Sequence, residues 1–225
     1  MELAYKPAKQ ATAVRRAELV AAALQLAAQR NPADITTADL ASAVGITQGA
    51  VFRHFASKEA IWLAVLDWTT GTLIAQLHQA ATGTRDHPLG TLHALQAVFA
   101  AHVDFVVAHA GVPRVIFQEL QHAQDTPLKA RVRDLMQQHR ALVMGLLQRA
   151  QVQELLVPGT DIQAAAVLFL GAVQGLVLQA LSSGQVQTMA AQAPGVFTIY
   201  LRGIASQEIF QDIAASATPD TESTP

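Results

Sequence analysis

Between positions 47 and 58 the chain places Thr47, Gln48, Gly49, Arg53 and Lys58 within about three helical turns. A side-chain amide beside a residue with no side chain suits approach to a nucleic-acid groove. The glycine lets the backbone come near, the amide and the guanidinium can meet base edges, and the cations can meet phosphates. A second group is His102, His109 and His139, which fall on apolar stripes of two predicted helices. Three inward imidazoles can bind zinc, supply polar points in a ligand pocket, or sit in a core bonded to carbonyls. No His-Glu-x-x-His pair and no cysteine helps them, so no metal is assigned. Asp104 and Glu119 are isolated carboxylates. Ser57, Ser182, Ser183 and Ser206 lack the Gly-x-Ser-x-Gly setting of a nucleophile, and there is no phosphate loop or dinucleotide fingerprint. No catalytic residue and no cofactor is therefore assigned.

The elements that hold the first group are short. Thr36 caps a helix predicted over 37–44, and Asp39 completes a capping box. Gly45 stops that helix in the left-handed conformation. Thr47 caps a second helix over 48–54, and Ser57 a third that opens at Lys58. Two short helices about a glycine turn form a helix-turn-helix, which places its second helix in a major groove. Before it, a helix is predicted over 12–29, ended by Asn31-Pro32. Lys6, Lys9, Arg15 and Arg16 can reach phosphates, or the first residues are a solvated tail.

Further helices are predicted over 58–79, 89–108, 113–121, 127–151 and 161–181. A loop is expected at 83–88, a separate segment at 185–191, and a last helix that begins at Pro194. Every residue from 164 to 173 is apolar, so this stretch must be buried on two sides, yet it is shorter than the ~20 residues that span a bilayer. Residues 216–225 read as a polar tail.

Half of the chain is apolar, with few aromatics and much Ala, Leu, Val and Gln, which is an all-α composition. The absence of cysteine excludes disulfides and fits a reducing cytoplasm, and the N-terminus lacks the apolar core of a signal peptide. Residues 1–66 carry seven basic against five acidic side chains, and the rest eight against twelve. The asymmetry has the sign a nucleic-acid binder needs but is small.

The segment TTADLASAVGITQGAVFRHFASKEAIWLAV, with Leu19 to Ala23 before it, resembles the DNA-binding signature of the tetracycline-repressor (TetR) family of bacterial transcription regulators. The match covers about a quarter of the chain; the remainder is similar in helical layout alone. It implies an all-α protein of about nine helices, with a helix-turn-helix domain over 1–57, a ligand-binding and dimerising bundle over 58–213, and a tail over 214–225. It implies Thr47, Phe52, His54, Lys58 and Thr36 or Thr37 as DNA-backbone contacts. Phe52 replaces the family's usual tyrosine, removing a phosphate-binding hydroxyl. Ala27 and Asn31 also depart from the pattern, where an aromatic and a glycine are usual.

Phe99, Phe105, Phe117, Met136, Met144 and Phe169 can be plain core or the wall of an apolar cavity. The resemblance favours a cavity, with Val173 and the three histidines in its lining. The implied function is a repressor that binds a palindromic operator as a homodimer through its last two helices and is released by a small, largely apolar effector. The alternatives are an activator on the same fold, or a helical small-molecule carrier or enzyme without DNA binding.

Overall fold

The computed structural model describes residues 8–82 and 89–216, with side chains over 12–82 and 89–211. Lys6, the expected loop at 83–88 and the tail beyond 216 lie outside the described residues, as does the side chain of Lys9. The elements in order are α1 (Ala8–Gln29), a 3-10 turn (Pro32–Asp34), α2 (Thr37–Val44), α3 (Gln48–His54), α4 (Lys58–Thr82), α5 (Gly90–Ala108), α6 (Gly111–Gln121), α7 (Pro127–Val152), α8 (Ile162–Ser183), α9 (Thr188–Ile204) and α10 (Gln207–Ser216). The fold is all-α. They form two compact units, one up to Ile74 with Phe105–Gln137, the other Ala75–Asp104 with the residues from Gln138 onward.

In the first unit α1 buries Leu19, Ala23 and Ala27, α2 buries Leu40, α3 buries Val51, and Phe55, Ile61 and Val65 join them. Each fully buried Leu, Val, Ile or Phe contributes about 1.5–3 kcal/mol. The small side chain of Ala27 is wholly buried, and Asn31 caps the 3-10 turn by accepting from the Ala33 amide at 3.0 Å. Helix α6 packs on α1 at very short range. A Cβ on Gly111 would stand 2.1 Å from the Leu24 carbonyl oxygen. This contact explains why α6 begins at Gly111 rather than at Pro113. A helix needs no amide partner in its first turn, so Pro113 fits there, and only a glycine can start so near to α1.

The second unit packs around Phe99, Phe169, Phe197 and Tyr200. The Phe99 and Phe169 rings meet edge to face at 5.4 Å, and the Tyr200 hydroxyl donates to the Ala165 carbonyl at 3.2 Å. Antiparallel pairing of Leu156 with Ala205 ties the segment after α7 to the end of α9. There the Val157 amide donates to Ile204 O at 2.9 Å and the Ser206 amide to Leu155 O at 3.1 Å.

Three expectations need correction. Residues 188–204 form one helix with Pro194 inside it, not a separate segment and a helix begun by proline. Pro194 removes one amide donor from the turn, and the buried Met189, Ala193, Phe197 and Tyr200 hold both sides together. A tenth helix, α10, follows, seated by the Phe210 amide on Ser206 O at 2.9 Å. The apolar run at 164–173 understates α8. Its glutamines and serines interrupt the run but carry no charge. Together with α4 and α5 it is long and apolar enough, by length and composition only, to cross a bilayer, at a mean hydropathy of 2.0. Within the chain α8 is buried on one face, not two: Val167, Leu168 and Leu178 are exposed.

Gly111→Ala must push α6 away from α1 and is expected to lower stability by about 1–3 kcal/mol. Gly71→Ala, in α4 with open space at the added methyl, should instead raise it by about 0.5–1 kcal/mol. Urea unfolding of the two variants beside the parent checks both signs.

Candidate nucleic-acid interface and effector core

The interface is built from caps. The Thr36 hydroxyl accepts from the Asp39 amide at 3.1 Å, and the Asp39 carboxylate accepts from the Thr36 amide at 2.8 Å and its hydroxyl at 2.7 Å. Arg30 adds an ion pair to Asp39 at 3.1 Å. Those Thr36 bonds first, then Arg30, hold the Asp39 carboxyl at about 2 instead of 3.8. Gly45 takes φ +70°, and the Ile46 amide donates back to Ala41 O at 2.9 Å. Thr47 then caps α3 by accepting from the Ala50 amide at 3.2 Å. The boundaries of α2 and α3 fall where the sequence placed them.

The far end of α3 is closed from outside. Arg16 of α1 donates to the His54 carbonyl at 2.8 Å, and its guanidinium lies 4.2 Å over the Phe55 ring. A cation at a helix C-terminus opposes the negative end of the dipole. Arg16 is thus engaged in holding α3, whereas its sequence position suggested a phosphate contact. No local pattern shows this, because the partners are 38 residues apart. Lys58 likewise donates to the Ala33 carbonyl at 2.8 Å, pinning the start of α4 to the 3-10 turn.

Of the residues assigned to DNA, Gln48 and Thr37 are brought together: the Gln48 amide donates to the Thr37 hydroxyl at 2.7 Å. Thr36, Thr47, Gly49, Phe52 and Arg53 are exposed along the same two helices. Phe52 is 49 % exposed, a large apolar ring on a surface helix, while Phe55 is core. Arg53 and the half-buried His54 line an open groove of about 340 Å³ with Arg15, Thr12, Ile46 and Ala50. Arg15 also pairs with Glu18 at 2.7 Å.

The residues assigned to an effector are divided between the units. In the first, His109 meets Trp68 edge to face at 5.0 Å and Phe105 at 4.8 Å, and burial lowers its pKa. Phe117 and Met136 are half-buried there. In the second, Phe99, Phe169 and Val173 are buried, and the His102 and His139 rings stand 4.7 Å apart. Burial, then the neighbouring His139, pushes His102 well below its usual range, and burial brings His139 to about 4. Phe197 and Tyr200, which were not among the residues expected to line a cavity, complete this aromatic cluster. A shallow groove of about 100 Å³ between α5 and α9 has Phe99 and Phe197 as its floor and Asp104 at its rim.

Two acid transitions follow from these groups. Asp39 is depressed on folding, so its contribution is present above about pH 4 and is lost as pH falls toward 2. His139 is also depressed, but as a base. Its burial is harmless above pH 6.5, and stability falls from there to about pH 4 as the unfolded state gains the proton. Denaturation titrated from pH 8 to 3 should show the upper loss, to which His102 also contributes, and His139→Phe should remove its own part of it. NMR titration of the Asp39 carboxyl should give a midpoint near 2.

Residues 19–65 match the sequence profile of the bacterial regulatory proteins of the tetR family. Over 169 residues the chain is 24% identical to the nucleoid occlusion factor SlmA of Idiomarina loihiensis, which covers 75% of this chain and 84% of that protein. The fold of this chain is similar to that of the fatty acid degradation regulator FadR from Bacillus halodurans, with a TM-score of 0.73, 17% identity, and 84% of this chain and 95% of that one covered. SmeT, the repressor of the Stenotrophomonas maltophilia multidrug efflux pump SmeDEF, superposes with a TM-score of 0.67 and 18% identity over 93% of this chain and 96% of that one. The matched segment holds the capping box, the left-handed glycine and α3 itself. The helix-turn-helix segment of the chain, residues 19–65, thus carries the signature of the tetR family of bacterial regulatory proteins.

Proposed function

We propose that the chain is a repressor that binds a palindromic operator as a homodimer in the cytoplasm and leaves it when a small, largely apolar effector binds. The observation that carries the DNA part is the open face of α3. Gln48, Gly49, Phe52 and Arg53 are exposed on a helix capped at its start by Thr47 and held at its end by Arg16 of α1. Gln48 and Gly49 meet bases at the first turn, Arg53 a phosphate or a guanine, and Thr36, Thr47, His54 and Lys58 the backbone. Thr37 positions Gln48. Phe52 lies flat against sugar and phosphate, without the hydroxyl a tyrosine would offer.

The dimer is supported by one continuous surface. On α8 the exposed Val167, Leu168 and Leu178 recur at helical spacing with Gly171 and Gly175, and on α9 Ile199 is 74 % exposed beside Gly195 and Gly203. A second copy of this chain covers such a face by two-fold symmetry, the glycines letting the helices approach. The two recognition helices then address half-sites about 34–36 Å apart, or a multiple of that. Residues 1–57 serve as the DNA-binding domain, 58–213 as the effector and dimer domain, and 214–225 as a tail. The effector acts through its affinity difference between two conformations, with α4, which contributes to both compact units, carrying the change. FadR and SmeT, whose fold the chain shares, are respectively a regulator of fatty acid degradation and an efflux-pump repressor, and an apolar effector accords with both.

Mobility shift on the DNA upstream of the coding sequence, at two salt concentrations, tests the reading. Selective binding that weakens steeply with salt supports it. Binding that ignores sequence, followed by no enrichment from a random duplex library, overturns it. Gln48→Ala should relax base preference, whereas Lys58→Met should weaken all sequences alike and reduce the salt slope by about 1. Leu168→Glu with Ile199→Glu should convert the dimer to monomer in sedimentation, at unchanged helicity.

A further inference from the structure

The core of the second unit contains a polar feature that its own packing does not satisfy. Nδ1 of His102 and Nε2 of His139 are both buried without a hydrogen-bond partner. His139 is 5 % exposed, and its ring stands 4.7 Å from that of His102 and 6.4 Å from that of Phe169. Buried polar atoms are nearly always paired, because each orphan forfeits the hydrogen bond it had with water. Two orphans on rings that meet edge to face inside an aromatic cluster are therefore an incomplete site.

We propose that His102 and His139 together are the recognition point for the polar group of the effector, and that this group is an uncharged hydroxyl, alcoholic or phenolic. The inference rests on the reading of the second unit as an apolar effector site and names the effector's chemistry. A neutral imidazole presents one donor and one acceptor nitrogen. Two of them, each with one nitrogen free, can offer a donor and an acceptor to the same small group, and a hydroxyl answers both at once. A carboxylate only accepts, and it brings a charge that burial penalises unless a cation meets it. The pair does not provide that cation, since burial keeps both rings neutral near pH 7. Arg140, next to His139 in sequence, is turned to the Gln163 side chain at 2.5 Å. Phe99 and Phe169 supply the apolar surroundings for the rest of the molecule.

The test uses the full-length protein and matched trios of alcohol, carboxylic acid and alkane on one carbon skeleton, from six to twelve carbons. Binding is followed at pH 7.4 by calorimetry and by the nitrogen resonances of the two imidazoles. For the best skeleton, the alcohol should bind about tenfold or more tightly than the acid and the alkane, and should shift both imidazoles. His139→Phe should abolish the preference for the alcohol while leaving the alkane unaffected. The same variant, and His102→Phe separately, should fold at least as stably as the parent, since each removes an orphan nitrogen. Equal or tighter binding of the acid, alcohol binding that leaves both imidazoles unmoved, or an alcohol preference that survives His139→Phe overturns the assignment alone. Failure of every trio to bind overturns the apolar-effector reading and this inference with it.

Discussion

A helix of seven residues cannot maintain itself in water, because nucleation costs more than its few internal hydrogen bonds return. Helix α3 is such a helix, and it carries the face proposed to meet DNA. The first unit is arranged to meet that constraint. Thr47 closes its N-terminus, Arg16 closes its C-terminus, Val51 anchors its middle, and Gln48 is tied to the first turn of α2. Helix α2 is itself held by the Thr36–Asp39 box and its link to Arg30. Helix α1 therefore has two duties. Its apolar face forms the core, and its arginine holds the end of α3. Gly111 seats α6 against the same α1, so a change in α6 reaches the support of α3 through packed backbone.

The second unit follows a different logic. Its interior is aromatic, and a core of that kind is stable without polar groups. Yet it holds the buried His139 and the half-buried His102, with one nitrogen of each buried and unpaired. Selection for stability alone replaces such residues with apolar ones, since a partly satisfied polar network is worse than none. Their presence fits a site whose partner arrives from solution. The exposed apolar face of α8 and α9 is a separate matter of covering surface, and needs only a complementary surface of its own kind.

The parts that were readable from sequence share a short range. Asp39 is three residues from Thr36, Gly45 follows the helix it ends, and Thr47 precedes the helix it begins, so the bounds of α2 and α3 are written in their caps. Pro194 was misleading for the same reason. As a local signal it starts a helix, and only the buried side chains on both sides of it keep α9 continuous. The start of α6 depends on an oxygen of α1 far away in the chain, and the tenth helix on a seat at Ser206 that no periodicity marks.

By itself, then, the amino-acid order determined the all-α class, the helix-turn-helix and the residues exposed on its second helix, because period, caps and turn residues act over a few positions. Tertiary structure alone decided that Arg16 holds α3 rather than reaching outward. It also decided that Gln48 rests on Thr37, and that His102 and His139 meet while His109 instead packs with Trp68. Each of these pairs joins residues from different parts of the chain, and their meeting depends on how helices pack, which side-chain shape and burial settle only once the whole chain has folded.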